Sequence, residues 1–133
     1  KMIRTPTYHA FEMLKVHQGA TALRLELQTP DYVLGSKAVP ALSASASRNA
    51  AGVVHVSFSN ADPSRAITVT CPLTGIPAKS VQGRVLTAPA IDAHNTFAKP
   101  DAVAPAAFQG ATLKDGQLTL TLPAKSIVVL ALE

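Results

Sequence analysis

Two side-chain types in this sequence could carry acid–base chemistry: eight carboxylates and four histidines. Cleavage of a glycosidic bond needs two carboxylates held about 5 to 10 Å apart in a cleft. Glu12 falls on a helical stretch and Glu26 faces out of a strand. Asp31, Asp62, Asp92, Asp101 and Asp115 fall in turns or loops, and Glu133 is the last residue. Nothing marks two of them as a pair, and solvated turn or strand-face positions are the expected role for such residues. His9 and His17 are too far apart to share a helical turn, His55 lies on a strand, and His94 lies in a long loop. Without an HxH or HExxH spacing no metal site is expected, and the helical histidines are expected at the helix surface. The lone Cys71 alternates with Val69 and is expected to be a small buried hydrophobe. It cannot form a disulfide within the chain or complete a zinc site of cysteine pairs. Neither a GxSxG elbow nor a phosphate-cradling glycine loop occurs. The expected site therefore contains no catalytic residue, metal or cofactor.

The elements that would position any of these groups follow from composition and period. At 133 residues, 47% apolar and 15% charged, the chain is long and apolar enough for one globular domain with a small appendage. Twelve basic against eight acidic residues give a formal charge of +4, but the basic residues are spread singly. Without a basic stripe, neither nucleic acid nor an anionic membrane is an expected partner. No apolar run of about 18 residues exists, and KMIRTPTYHAF has no apolar signal core. A first residue of Lys rather than Met suggests a fragment of something longer.

Thr5 is an N-cap candidate and Pro6 fits the first helical turn, so a helix is predicted up to Gly19. Its broad apolar face, Tyr8, Phe11 and Leu14 with Ala10, requires a covering element. From Thr21 the period is two: Leu23, Leu25 and Leu27; Leu42, Ala44 and Ala46; Val54, Val56 and Phe58; Ile67, Val69 and Cys71; Leu118, Leu120 and Leu122. A further strand is predicted around Val81 to Leu86. Ile127 to Leu132 is apolar on both faces and is predicted to be a central strand between layers. Turn residues separate the runs at Arg48 to Gly52, Asn60 to Ser64, Thr74 to Pro77 and Asp115-Gly116. The predicted fold class is all-β, an antiparallel two-sheet sandwich of jelly-roll or immunoglobulin-like type preceded by one helix. Between Thr87 and Pro105 the alternation lapses into TAPAIDAHNTFAKPDAVAP, a long polar insertion where a functional contact is expected. Within it, a loop that hydrogen-bonds itself or a neighbouring domain is the favoured role of His94.

A sandwich of this size could also be an independent carbohydrate-binding module, which stacks sugar rings on aromatic faces. There is no Trp. With Phe11 and Phe58 assigned to apolar faces, Tyr32, Phe97 and Phe108 are left for such a platform, so this is the secondary expectation.

Four segments, TPTYHAFEMLKVHQGA, PALSASASRNAAGVVHVSFSNADPSRA, GRVLTAPAIDAHNTFAKPDAVAP and LTLTLPAKSIVVLALE, closely resemble in order the C-terminal end of glycoside hydrolase family 51 α-L-arabinofuranosidases. The resemblance spans essentially the whole chain. It implies a (β/α)8 catalytic barrel followed by a jelly-roll-like sandwich, with residues 1–19 as the barrel's last helix and 20–133 as the accessory domain. It implies retaining hydrolysis of terminal α-L-arabinofuranosyl residues from arabinan or arabinoxylan by two glutamates lying upstream of this chain. Glu12 matches neither motif, so this chain alone is expected to be silent. The implied partner is the barrel, with a homo-oligomer as a further implication. The residues expected at the interdomain contact are Tyr8, Phe11, Leu14, His94, Asn95 and Phe97. Both cytoplasmic and secreted locations stay open.

Overall fold

The computed structural model describes residues 2–133; Lys1, which belongs to the 1–19 segment, lies outside the described residues. Helix α1 (Pro6–Leu14) begins as its residues dictate. The Thr5 Oγ accepts a hydrogen bond from the Tyr8 amide at 3.1 Å, and Pro6 fills the first turn, where no amide donor is needed. A 3-10 turn, Lys15–His17, extends the helix, and Gly19 at φ 68° follows it. This helix is far too short to cross a membrane, and no other described helix is longer.

Strands β1 (Thr21–Leu23), β4 (Leu42–Arg48), β5 (Val54–Asn60), β7 (Val81–Leu86), β8 (Ala106–Ala107) and β11 (Ser126–Leu132) form one sheet in the order β1-β4-β5-β11-β7-β8. Strands β6 (Ile67–Pro72), β9 (Ala111–Lys114) and β10 (Gln117–Leu122) form a second sheet with β10 in the middle. Every pairing is antiparallel, and the two sheets form the predicted sandwich. Asp115 (φ 50°) and Gly116 (φ 72°) turn β9 into β10, the two positive φ values that a tight Asp-Gly hairpin requires.

The alternation explains what each sheet face buries. Leu42 of β4, Val54, Val56 and Phe58 of β5, and Val128, Leu130 and Leu132 of β11 meet Leu118, Leu120 and Leu122 of β10 between the sheets. Phe108 closes one end of this core, where its backbone amide donates to the Gly83 carbonyl at 2.9 Å. A second, smaller core lies on the outer side of the large sheet, where Val129 and Leu86 pack with Met13 of α1 and Val103. Strand β11 is therefore covered on both faces, as its unbroken apolar run predicts.

Two local expectations are corrected. Leu23, Leu25 and Leu27 keep their period of two, but only Thr21–Leu23 joins a ladder. Beyond it the chain runs unpaired, with Leu25 and Leu27 leaning on the core and Arg24 and Glu26 pairing outside. Strands β2 (Asp31–Leu34) and β3 (Lys37–Pro40) form a separate hairpin that the periodicity does not announce. Asp31 thus opens a strand instead of lying in a loop. The hairpin leaves Val33, Leu34 and Val39 about half or more exposed. The Gly35-Ser36 pair between two short apolar runs is the sequence signal for it.

Candidate functional site

The described carboxylates form no acid–base pair. Glu12 accepts from Arg84 Nη1 at 2.9 Å and lies 3.5 Å from Lys15 Nζ, and Glu26 is paired with Arg24. Desolvation opposes ionisation of Glu12, but the hydrogen bond and charge of Arg84, with Lys15, hold its carboxyl below the usual range. Asp62, expected on a solvated turn, is instead 2% exposed. Its Oδ1 accepts from the amides of Ser64 (2.9 Å) and Arg65 (2.8 Å), and its Oδ2 from Arg65 Nε. The Ser64 amide and then the Arg65 side chain lower its pKa. Asn60 bonds the Asp62 amide and the carbonyls of Arg65 and Pro123, so Asp62 belongs to a buried turn lock. Among the described residues no group of three or more His, Cys, Asp or Glu side chains could hold a metal ion. Cys71 is half-buried, and burial pushes its thiol pKa up, which removes thiolate character.

The two histidines of the helical segment depart from the expected surface position, whereas His55 lies on β5 and His94 in the insertion as expected. His9 is 6% exposed and lies on the buried side of α1 with Met13. His17 reaches under the 3-10 turn to the sheet. Its Nδ1 lies 2.6 Å from Ser47 Oγ on β4 and its Nε2 lies 2.9 Å from Ser57 Oγ on β5. A histidine beside a serine is the start of a nucleophilic site, but both serines are about 95% buried, at 4% and 5% exposure, and no carboxylate orients the ring. The arrangement fastens the helix to the sheet. Ser47 and Ser57 stand at outward positions of alternating strands, which is the only trace of it in the sequence.

The expected contact residues fall on two neighbouring features of the large sheet's outer side. Helix α1 seats Met13 against the sheet, so Tyr8 and Phe11 face away from it at 49% and 75% exposure, while Leu14, 38% exposed, overhangs the outer face beside Ser43, Ser59 and Ile127. Thus Phe11, assigned to a covered face, is exposed in this chain. The second feature is the insertion after Leu86, which has no strand before Ala106. Asn95, expected at the interdomain contact, has its amide engaged inside the chain. Its Nδ2 donates to the carbonyls of Val103 (2.9 Å) and Arg4 (2.8 Å), and its Oδ1 accepts from the Val103 amide at 2.7 Å. Buried at 7% exposure, it closes the loop and ties it to the segment entering α1. This leaves Ile91 and Phe97 exposed on the loop's surface, together with His94, whose Nδ1 lies 3.0 Å from the Asp92 carbonyl. Between the helix start and the loop is a mainly apolar cleft of about 290 Å³, walled by Pro6, Leu86, Ile91, Val103 and Ile127, with Lys125 at its edge.

Of the aromatic side chains available for a sugar platform, Phe108 is buried in the core, Tyr32 is half-buried on the β2–β3 hairpin, and Phe97 stands on the insertion. Phe108 is lost to such a platform because it fills the end of the sandwich.

Comparison with known proteins bears on what these surfaces meet. Residues 1–126 match the family described as the alpha-L-arabinofuranosidase C-terminal domain. An intracellular exo-alpha-L-arabinofuranosidase of Bacteroides ovatus is 42% identical over 134 aligned residues, covering 100% of this chain and 26% of that protein. The crystal structure of the GH51 arabinofuranosidase from Xanthomonas axonopodis pv. citri superposes with a TM-score of 0.97 at 47% identity, over 100% of this chain and 27% of that one. The GH51 α-L-arabinofuranosidase of Thermotoga petrophila RKU-1 shares the fold, with a TM-score of 0.85 at 24% identity over 98% of this chain and 29% of that one. The chain thus spans about a quarter of the length of these relatives.

Proposed function

The chain belongs to the alpha-L-arabinofuranosidase C-terminal domain family, and from that premise we propose that it is the non-catalytic buttress of an α-L-arabinofuranosidase. The activity it supports is removal of terminal α-L-arabinofuranosyl residues from arabinan or arabinoxylan, carried out by a (β/α)8 catalytic domain preceding it in the enzyme. Residues 1–19 serve as the last helix of that barrel and residues 20–133 as the accessory sandwich.

One observation carries this proposal: α1 is seated on the sandwich by Met13 while Tyr8 and Phe11 point the other way and Leu14 stands at the boundary. An amphipathic helix with apolar residues on two sides needs two partners, and the sandwich supplies one. The loop carrying Ile91, His94 and Phe97 flanks the same side of the sheet and extends the contact. Asn95 contributes by holding that loop in shape. Among the described residues the carboxylates are engaged singly, Glu12 by Arg84, Glu26 by Arg24 and Asp62 by its own turn, which is consistent with a non-catalytic role.

The test is hydrolysis of 4-nitrophenyl α-L-arabinofuranoside by this chain alone, by the separately expressed preceding region, and by the two mixed. No turnover by the chain alone, with activity or thermal stability of the preceding region raised on mixing, is the expected outcome. Phe11→Ser combined with Phe97→Ser should weaken that rescue. Turnover by the isolated chain, or an unaltered preceding region after mixing, would overturn the proposal. Light scattering on the mixture reads out the homo-oligomer that the resemblance implies.

A further inference from the structure

The attachment of the helix to the sheet contains a titratable group in an unusual position. His17 has a buried serine hydroxyl at each ring nitrogen, and neither Ser47 nor Ser57 has another side-chain hydrogen bond among the described residues. A neutral imidazole satisfies this pair, because one nitrogen donates to a hydroxyl oxygen and the other accepts a hydroxyl proton. A protonated imidazole donates from both nitrogens. Both serines must then accept, and the hydroxyl proton that His17 had received loses its partner in a place that water barely reaches.

The charged surroundings act in the same direction. His55 stands opposite Ser47 in the β4–β5 ladder and two residues before Ser57 on the same face, and its Nδ1 is itself buried without a partner. From β7 comes Arg84, paired with Glu12 of α1, and Lys15 in the 3-10 turn shares that carboxylate. His9 lies farther back along the helix. Arg48 of β4 falls on the opposite face by alternation, and β11 carries no ionisable residue. The only carboxylate in this group is thus already shared by two cations.

We propose that His17 is a pH-sensitive latch: neutral, it fastens the end of the α1 segment to β4 and β5, and protonated, it releases that end while the sandwich stays folded. This inference rests on the contacts within the chain and is independent of the proposed docking to a catalytic domain. Burial first, and then the proximity of His55, lowers the pKa of His17 below the ordinary histidine value. The undocked segment, with its ordinary pKa, therefore binds the proton first as pH falls. Docking is at full strength above the ordinary value of about 6.5 and is lost progressively below it.

The experiment is amide hydrogen exchange on the whole chain at about pH 7.5 and about pH 5, corrected for intrinsic rates, beside an NMR titration of the His17 ring. Amides of the α1 segment, residues 9–18, should lose protection several-fold at the lower pH while those of β10 and β11 keep theirs. His17→Gln retains an amide for the serines but cannot titrate, and should remove the pH dependence. If His17→Gln undocks the helix at both pH values, the ring titration of the unaltered chain decides, with a midpoint below the ordinary value expected. An unchanged protection ratio in the unaltered chain, the same loss in a docked His17→Gln chain, or an ordinary or raised midpoint would overturn the latch.

Discussion

The two sides of the six-stranded sheet use apolar residues in opposite ways. On the inner side, Leu130 and Leu132 meet Leu118, Leu120 and Leu122 of the facing sheet, and all five are no more than 2% exposed. On the outer side, a small core around Met13, Leu86, Val103 and Val129 holds the helix and the insertion, while Tyr8, Phe11, Ile91 and Phe97 remain 49–78% exposed. The inner side is complete within this chain. The outer side is built to a shape by Asn95, Met13 and His17, and its apolar residues then face outward. Self-sufficient folding and attachment are thus divided between the faces of one sheet.

Substitutions should separate the two sides by size of effect. Leu130→Ala opens a cavity between the sheets and should cost about 2–5 kcal/mol, read as a lower urea midpoint with little change in slope. Gly83→Ala should cost about 1–3 kcal/mol. A Cβ there would lie 2.6 Å from Leu130 Cδ2 and 3.2 Å from the Phe108 Cβ, so the core would have to shift. Asp62→Asn tests the turn lock through pH. With its folded pKa lowered, Asp62 stabilises the fold at neutral pH and loses that contribution as pH falls below the ordinary aspartate value toward the lowered one. The unaltered chain should lose stability across that acid window, and Asp62→Asn should flatten this part of its urea-midpoint profile. The smallest effect belongs to the outer face. Phe11→Ser should change the stability of the isolated chain by no more than about 0.5 kcal/mol. A loss as large as that of Leu130→Ala would mean that the outer face is part of the self-sufficient fold, and the comparison would fail.

Much of this division was legible in the sequence. The alternating runs identify the strands that fill the inner core, the two-sided apolarity of Ile127 to Leu132 identifies the central strand, and Thr5-Pro6 marks the helix start. These signals are local, and side-chain period transmits them directly. The side of α1 that the sandwich covers was not legible, because Tyr8, Phe11 and Leu14 outweigh His9, Ala10 and Met13 in apolarity. Helical spacing marks the outward face; the inward one depends on where Val129 and Leu86 happen to lie. The place of Asn95 in a polar loop marks it as a contact residue, but its partners Arg4 and Val103 are far from it in sequence or across the loop, so its inward role is not visible in the sequence. The same holds for His17, whose serines are 30 and 40 positions away and belong to strands that read as ordinary.

The central place of β11 also sets the order of events during translation. Strands β5 and β7 leave the ribosome before the strand that must lie between them, and each is paired with β11 along most of its length. The residues from 61 to 132 must emerge before that gap can close, which at about 5–20 residues per second takes seconds. From residue 87 onward the nascent chain carries two strands that each lack the neighbour β11 will supply. The six-stranded sheet can therefore close only when β11 arrives, and a ribosome stalled before Ser126 would hold a chain with that gap open, ready for chaperone capture.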